Sequence, residues 1–227
     1  MERGLIISFE GTDGSGKETQ SKRVNKYLNE NNFLSQWETF PMYHRPFGRM
    51  VGGPFLGKPD ICDSYFEEPS KMDPIAASMI YCAERRHELP LLENIVNSGK
   101  NLILDRYVGS NMGMQGGKIR DAEKRIEFYK FLEHLEYDMA KLPRPDITFF
   151  LYMPQRVASE LQSRNNKPKD RVEKDANYLK NSVEAYLQLA EYMDWKKIDC
   201  CPDGTINTLK TPEKITEEIV DYLKNIL

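Results

Sequence analysis

The feature that most constrains the fold of this chain is a glycine-rich segment between a short apolar run and an amphipathic stretch. The apolar run, residues 5–9, predicts a buried strand, and residues 17–29 predict a helix. Between them Gly11, Gly16 and Lys17 stand in the spacing Gly-x4-Gly-Lys, the core of a phosphate-binding loop (P-loop). Glycines let such a loop turn its N–H groups inward, and the helix N-terminus adds partial positive charge. The segment therefore predicts an α/β protein that binds phosphate groups.

In this loop Lys17 is expected to reach the β- and γ-phosphates of a nucleotide. The alternative is a glycine-rich turn with a merely solvated lysine, but the flanking strand and helix and the spacing disfavour it. The residues predicted to bind the nucleoside triphosphate are Gly11, Thr12, Asp13, Gly14, Ser15, Gly16, Lys17, Glu18 and Thr19.

The residue after Lys17 is unusual, because Glu18 replaces the serine or threonine that normally contacts magnesium. Thr19 cannot substitute, since consecutive helical positions point about 100° apart. A second candidate ligand is Asp105, which ends an apolar strand and precedes Arg106, a residue suited to clamp a phosphate. Mg²⁺ is therefore predicted to be held by Glu18, by Asp105, or largely through water and the nucleotide phosphates.

Apolar runs alternate with amphipathic stretches along the whole chain, a pattern typical of a parallel sheet with crossover helices. We predict one domain, residues 1–227, with a central parallel sheet of about five strands flanked by helices. The predicted strands are 5–9, 33–40, 102–105, 147–151 and 195–199, and the predicted helices are 17–29, 74–97, 122–141, 154–163, 173–194 and 212–225. A kink or a break is expected near Pro90. Residues 41–73 are predicted to be mostly loop with one short helical piece, and residues 164–171 an exposed, mobile loop.

Composition excludes several functional classes. The 227 residues carry 32 basic and 35 acidic side chains, a net charge of −3, which argues against a broadly basic nucleic-acid binder. No apolar run approaches the ~18–20 residues of a membrane-spanning helix, and no secretory cleavage pattern follows the N-terminus. The four cysteines form no Cys-x-x-Cys pair. We therefore expect a cytoplasmic protein with reduced thiols and no partner among membranes or nucleic acids.

Several further motifs follow the P-loop in a specific order. Together they resemble the thymidylate kinases of the P-loop nucleoside-monophosphate kinase superfamily. The motifs are Phe9-Glu10-Gly11-x-Asp13-Gly14-x-Gly16-Lys17, Phe40-Pro41, Tyr81-x-Ala83-x-Arg85, Asp105-Arg106-Tyr107 with Ser110-Asn111 and Gln115, and Asp170-Arg171-x-Glu173. The resemblance implies a P-loop kinase fold with a mobile lid at residues 164–171. It also implies a homodimer that uses ATP and Mg²⁺ to phosphorylate thymidine 5′-monophosphate (dTMP).

The resemblance also implies which residues bind dTMP. Asp13 would accept from the deoxyribose 3′-hydroxyl, Tyr81 would stack on thymine and Arg85 would contact the base edge. Arg106, assisted by Tyr43, would hold the monophosphate. Two residues that follow Arg106, Ser110 and Asn111, fall where the family contacts the base, and Gln115 is also assigned to the dTMP site. Met114 stands where many members carry an aromatic residue beside the sugar.

Some thymidylate kinases carry a basic residue in the P-loop at the position of Gly14. Since Gly14 offers no charge, we expect catalytic positive charge from the lid, where Arg164 and Arg171 are the strongest candidates. The alternative is a solvated basic loop that merely attracts nucleotides. The predicted catalytic residues are Lys17, Arg106, Arg164 and Arg171.

Three other functions compete with this interpretation. A GTPase would show Asn-Lys-x-Asp after a strand, but the nearest string is Asn166-Lys167-Pro168-Lys169 in a predicted loop. A catalytically weak nucleotide-sensing protein on the same fold is consistent with the unusual Glu18. A kinase for another monophosphate, such as deoxyuridylate, or for a deoxynucleoside is the alternative within enzymes.

Overall fold

The computed structural model describes residues 3–66, 68–164 and 176–227. Its five strands are β1 (Ile6–Glu10), β2 (Ser35–Thr39), β3 (Asn101–Asp105), β4 (Ile147–Tyr152) and β5 (Lys196–Asp199). They form one parallel sheet in the order β2-β3-β1-β4-β5. The central strand β1 is buried along all five residues, as expected for a strand covered on both faces.

Helices cover both faces of this sheet. Eight α-helices lie among the described residues: α1 (Lys17–Glu30), α2 (Pro46–Met50), α3 (Pro74–Asn97), α4 (Val108–Gly116), α5 (Ala122–Glu133), α6 (Gln155–Arg164), α7 (Ala176–Tyr192) and α8 (Pro212–Leu223). Two π-helical segments, Val51–Phe55 and His134–Met139, follow α2 and α5, and 3₁₀ turns lie at Pro69–Lys71 and Ile206–Thr208.

The sheet separates two apolar cores, because alternate residues of a strand point to opposite faces. Ile6, Leu102 and Leu104 belong to the core beneath α3, α4 and α5. Ile7 and Ile103 belong to the core beneath α1, α6 and α8. The result is a three-layer α/β fold whose P-loop emerges from the carboxyl end of the central strand.

This architecture confirms the predicted fold class. The five predicted strands are present, with ends that shift by at most two residues. Of the predicted helices, 122–141 is too long, since α5 ends at Glu133 and continues as the π-helical segment. α3 runs through Pro90 without a break. Pro90 is exposed, while Leu89 and Leu92 are buried and hold the helix against the sheet.

α4 has no counterpart among the helices predicted from the sequence. This helix contains Gly109, Gly113 and Gly116, which lower helix propensity. The glycines are required by close packing, since a Cβ atom at Gly113 would lie 2.6 Å from the Tyr186 ring. One at Gly109 would lie 2.5 Å from the Trp195 ring. Tertiary contacts therefore override the local preference.

Residues 41–73 contain α2, one π-helical segment and one 3₁₀ turn between loops, close to the prediction. The predicted lid lies outside the described residues except for Arg164, which ends α6. The single-domain organisation of residues 1–227 stays a prediction. In the part of the chain that the structure describes, no helix is both long and apolar enough to span a membrane.

Candidate active site

The P-loop joins β1 to α1 at the carboxyl end of the central strand. Gly16 has φ = 88°, a left-handed backbone conformation that residues with a side chain rarely adopt. At Gly11, a Cβ atom would lie 2.7 Å from the carbonyl oxygen of Leu151. The left-handed backbone explains the glycine at position 16, and the close approach to strand β4 explains the glycine at position 11.

Lys17 is buried at the start of α1. Its Nζ donates to the carbonyl oxygen of Thr12 at 2.6 Å and lies 3.5 Å from Ser15 Oγ. Burial lowers the pKa of Lys17 to about 8, and the charge of Arg106 acts in the same direction. The ammonium group is thus held inside the loop by a backbone acceptor that a phosphate oxygen can replace.

Arg106 connects the P-loop to the neighbouring strand. It follows the last residue of β3 with φ = 68°, a strained conformation for a residue other than glycine. Its guanidinium forms an ion pair with Asp13 and donates to Ser110 Oγ at 3.2 Å. Although burial acts to raise the pKa of Asp13, the charges of Arg106 and Lys17 lower it overall. The predicted phosphate clamp therefore lies directly beside the P-loop acid.

Glu10 supports this arrangement and was not predicted as a site residue. Its buried carboxylate accepts hydrogen bonds from the Tyr107 backbone N–H at 2.9 Å and from Ser110 Oγ at 2.5 Å. Burial raises the pKa of Glu10. These bonds tie the end of β1 to the residues at the start of α4 that follow Arg106.

One cavity collects every residue predicted to bind dTMP. It lies between the P-loop, α3, α4 and the 41–58 segment, and its lining includes Asp13, Tyr43, Tyr81, Arg85, Arg106, Ser110, Asn111 and Gln115. Met114 also lines it. Tyr81 packs edge-on against Phe55, with ring centroids 5.5 Å apart.

Other lining residues carried no recognisable sequence signal. They include Lys58, Ser70, Lys118 and Tyr178. The Nζ of Lys118 donates to the carbonyl oxygen of Met72 at 2.8 Å, and burial lowers the pKa of Lys118 to about 8. These residues come from segments that only the tertiary fold brings to the cavity.

Arg85 and Asn111 meet at a buried acid, Glu136. Arg85 Nε donates to Glu136 Oε2 at 3.0 Å, and Asn111 Nδ2 donates to Glu136 Oε1 at 2.8 Å. Arg85 and Glu136 are almost fully buried, with side chains 2% and 0% exposed. No motif in the sequence singles out Glu136.

The two predicted metal ligands differ in their surroundings. Asp105 is buried, and its Oδ1 has no hydrogen-bond partner among the described residues. Burial raises the pKa of Asp105, while the charge of Lys17 acts to lower it. The Glu18 side chain is 61% exposed and pairs with Lys22 at 2.7 Å.

No cluster of three histidine, cysteine or acidic side chains suited to a metal lies within residues 3–66, 68–164 and 176–227. Magnesium needs only one or two protein ligands when nucleotide phosphates supply the others. The unpartnered oxygen of Asp105 fits that requirement better than the exposed carboxylate of Glu18.

The remaining predicted catalytic residues cannot be placed. Arg171 lies outside the described residues, and of Arg164 only the backbone, at the end of α6, is described.

The fold and the site define a P-loop kinase of the nucleoside-monophosphate class. A family model described as thymidylate kinase matches residues 9–203, which is most of the chain. The chain therefore belongs to the thymidylate kinase family, and it is an ATP-dependent enzyme.

Individual relatives are similar over nearly their whole lengths. Thymidylate kinase from Prochlorococcus marinus (strain NATL2A) is 29% identical over 228 residues, covering 99% of this chain and 98% of the relative. Human thymidylate kinase is 24% identical, covering 87% of this chain and 82% of the relative. The solved structure of thymidylate kinase from Candida albicans is 22% identical with a TM-score of 0.71, and the match covers 98% of this chain and 92% of that structure's chain. The structural similarity establishes the fold, and none of these matches favours a GTPase or a sensor.

Proposed function

We propose that this enzyme transfers the γ-phosphoryl group of ATP to dTMP, giving ADP and thymidine 5′-diphosphate for the supply of dTTP to DNA synthesis. The observation that carries the proposal is the position of Arg106. It lines the acceptor cavity and also pairs with Asp13 of the P-loop, so the donor and acceptor phosphates would meet at one guanidinium.

Catalysis by such a site depends on positioning and charge neutralisation rather than on a covalent intermediate. Backbone N–H groups of residues 11–19 and the ammonium group of Lys17 would hold the β- and γ-phosphates. Arg106 would orient the acceptor phosphate by two parallel hydrogen bonds. The strained backbone of Arg106 is consistent with this role.

The acceptor residues divide between the base, the sugar and the phosphate. Tyr81 would stack on thymine, Arg85 and Asn111 would read its edge, and Ser110 and Gln115 would complete the base site. Asp13 would accept from the 3′-hydroxyl, and Tyr43 would assist Arg106 at the phosphate. Gln115 Oε1 is buried without a hydrogen-bond partner among the described residues, which supports a polar contact with a ligand.

We infer that Asp105 holds Mg²⁺, directly or through water, and that Glu18 contributes less. When bound, the ion neutralises charge on the β- and γ-phosphate oxygens. Arg164 and Arg171 of the predicted lid would supply the remaining positive charge. The proposed enzyme is a cytoplasmic homodimer, and its net charge of −3 supports no role for nucleic acid.

A coupled assay over all nucleoside monophosphates, with ATP and Mg²⁺, tests the proposal. We expect dTMP to have the highest kcat/KM. Deoxyuridylate should be a poorer but accepted substrate, since one methyl group in an apolar pocket contributes only about 1–3 kcal/mol. A purine monophosphate with an equal or higher kcat/KM would contradict the assignment.

The variant Lys17→Ala links this activity to the P-loop. It should lower kcat by about a hundredfold or more, the usual effect of removing a group that stabilises developing charge. The matched control is Lys26→Ala on the same helix. The Lys26 side chain is 76% exposed, so this variant should leave kcat unchanged. Normal turnover of Lys17→Ala would exclude the P-loop assignment.

A further inference from the structure

The buried acid Glu136 contacts both residues assigned to the base edge. It lies in the π-helical segment that follows α5, and it does not line the cavity itself. Both of its oxygens accept from Arg85, through Nε and Nη2, and Oε1 also accepts from Asn111 Nδ2 at 2.8 Å. Among the lining residues, Glu136 is hydrogen-bonded to Arg85 and Asn111, so it can act on the cavity through these two neighbours.

These contacts determine which way the Asn111 amide faces. A carboxylate can only accept hydrogen bonds, so the NH₂ group of Asn111 must point towards Glu136. The second contact of Nδ2 is the carbonyl oxygen of Ser78 at 3.3 Å, which also only accepts. Asn111 Oδ1 is consequently directed away from both groups, and it is buried without a hydrogen-bond partner among the described residues. Because Asn111 lines the cavity, this buried acceptor is available to a donor from a ligand.

The same carboxylate orients the Arg85 guanidinium. Because Nε and Nη2 donate to Glu136, the third nitrogen, Nη1, lies on the opposite edge of the planar group. Arg85 can offer only donors and Asn111 is held as an acceptor. A pyrimidine with a carbonyl oxygen beside a ring N–H, as in thymine, is complementary to this pair. Cytosine presents an amino donor beside a bare ring nitrogen, so it would place donor against donor and acceptor against acceptor.

We propose that Glu136 is a positioning residue that fixes the donor–acceptor polarity of Arg85 and Asn111, and thereby selects thymine-type over cytosine-type bases. This inference rests on the proposed function, since it assumes that the cavity holds the acceptor base.

The test compares the binding of dTMP and dCMP by calorimetry, together with kcat/KM for both, in the wild type and in Glu136→Gln. The introduced amide can donate as well as accept, so it permits the Asn111 amide to turn its NH₂ group to the cavity. We expect the dTMP-to-dCMP affinity ratio to fall by about tenfold to a hundredfold, the cost range of one mispaired buried polar group. If Glu136 had a merely structural role, the variant would weaken the binding of dTMP and dCMP equally and leave the affinity ratio unchanged. An unchanged ratio would therefore overturn the proposal.

The matched control is Glu84→Gln. Glu84 is a buried acid next to Arg85 on α3, and its carboxylate accepts from the Met42 backbone N–H at 2.6 Å rather than from Asn111. Burial raises its pKa to about 7, so the uncharged form, which an amide resembles, is well populated at neutral pH. This variant should keep the wild-type ratio, and an equal fall in both variants would contradict a specific role of Glu136.

Glu136→Gln leaves the buried Arg85 charge unpaired, which can prevent folding. A second variant that keeps the negative charge therefore repeats the test. Glu136→Asp keeps the charge near Arg85, but its carboxylate is shorter by one methylene and no longer reaches Asn111 Nδ2. The Asn111 amide is then not held in one orientation, and the ratio should fall by severalfold. An unchanged ratio in folded Glu136→Asp would also overturn the proposal. The calorimetric ratio is independent of turnover, so selective binding of dTMP without phosphorylation would refute the proposed function while still testing Glu136.

Discussion

Lys17 illustrates how burial sets the working range of a single residue. Its pKa is lowered to about 8, so the ammonium form that binds phosphate predominates below that pH and is lost above it. We expect kcat/KM for ATP to fall as the pH rises through about 8. The fall in kcat should occur at higher pH, since bound phosphates favour the charged lysine.

A pH–rate profile between pH 6 and 10 measures both the fall in kcat/KM for ATP and the fall in kcat. The control is Lys17→Arg, which stays charged over this range and should lack the descending limb in whatever activity it retains. A wild-type kcat/KM that stays level up to pH 9.5 would show that Lys17 does not titrate in this range.

The two acids near the P-loop should respond differently to substitution. Asp105→Asn should raise the magnesium concentration needed for half-maximal activity by about tenfold or more, because it removes the charge of a buried carboxylate whose Oδ1 has no hydrogen-bond partner among the described residues. Glu18→Ser should shift it by less than about threefold, since the side chain is exposed and paired with Lys22. Magnesium titrations of both variants decide the assignment. A larger shift in Glu18→Ser would make Glu18 the principal ligand.

At the scale of elements, α4 determines the shape of the acceptor site. It carries Ser110 and Asn111, and it approaches α7 so closely that Gly113 touches the ring of Tyr186. Tyr186 is fully buried and stacked on Phe150, with ring centroids 5.7 Å apart. The ring therefore has little room to move away from a larger side chain.

We expect Gly113→Ala to lower the free energy of unfolding by about 1–3 kcal/mol, the usual cost of overpacking. Because α4 must shift, KM for dTMP should rise more than KM for ATP. Urea denaturation and substrate titrations measure these effects. In a loosely packed helix the same substitution would instead stabilise by up to about 1 kcal/mol. A gain in stability would therefore show that α4 and α7 can separate without cost.

For the whole molecule, we predict that catalytic positive charge comes from the lid. Gly14 offers none in the P-loop, and lid closure would bring Arg164 and Arg171 over ATP in a site that excludes water. Arg164→Ala and Arg171→Ala should each lower kcat by about a hundredfold while changing dTMP affinity much less. Steady-state kinetics with dTMP binding measurements tests this, with Lys167→Ala as the control of smaller effect. Wild-type kcat in both arginine variants, with affinity alone reduced, would make the loop a steering surface.

Features that depend on local pattern could be predicted from the amino-acid sequence. Apolar periodicity predicted the five strands, and glycine spacing predicted the P-loop between β1 and α1. The pair Asp105-Arg106 was placed correctly at a strand end because parallel strands gather their carboxyl ends at one edge. The dTMP-binding residues required the family resemblance in addition, and they line one cavity in the structure. Their individual roles stay predictions.

Features that depend on contacts between distant residues became visible only in the folded structure. Glu136 lies 51 residues from Arg85, and Glu10 lies 97 residues from Tyr107, so no local spacing announces either partnership. The same reason explains α4, whose glycines argue against a helix until Trp195 and Tyr186 are packed against them. Burial, hydrogen bonding and close packing are properties of the folded chain, and they override weak local preferences wherever the two disagree.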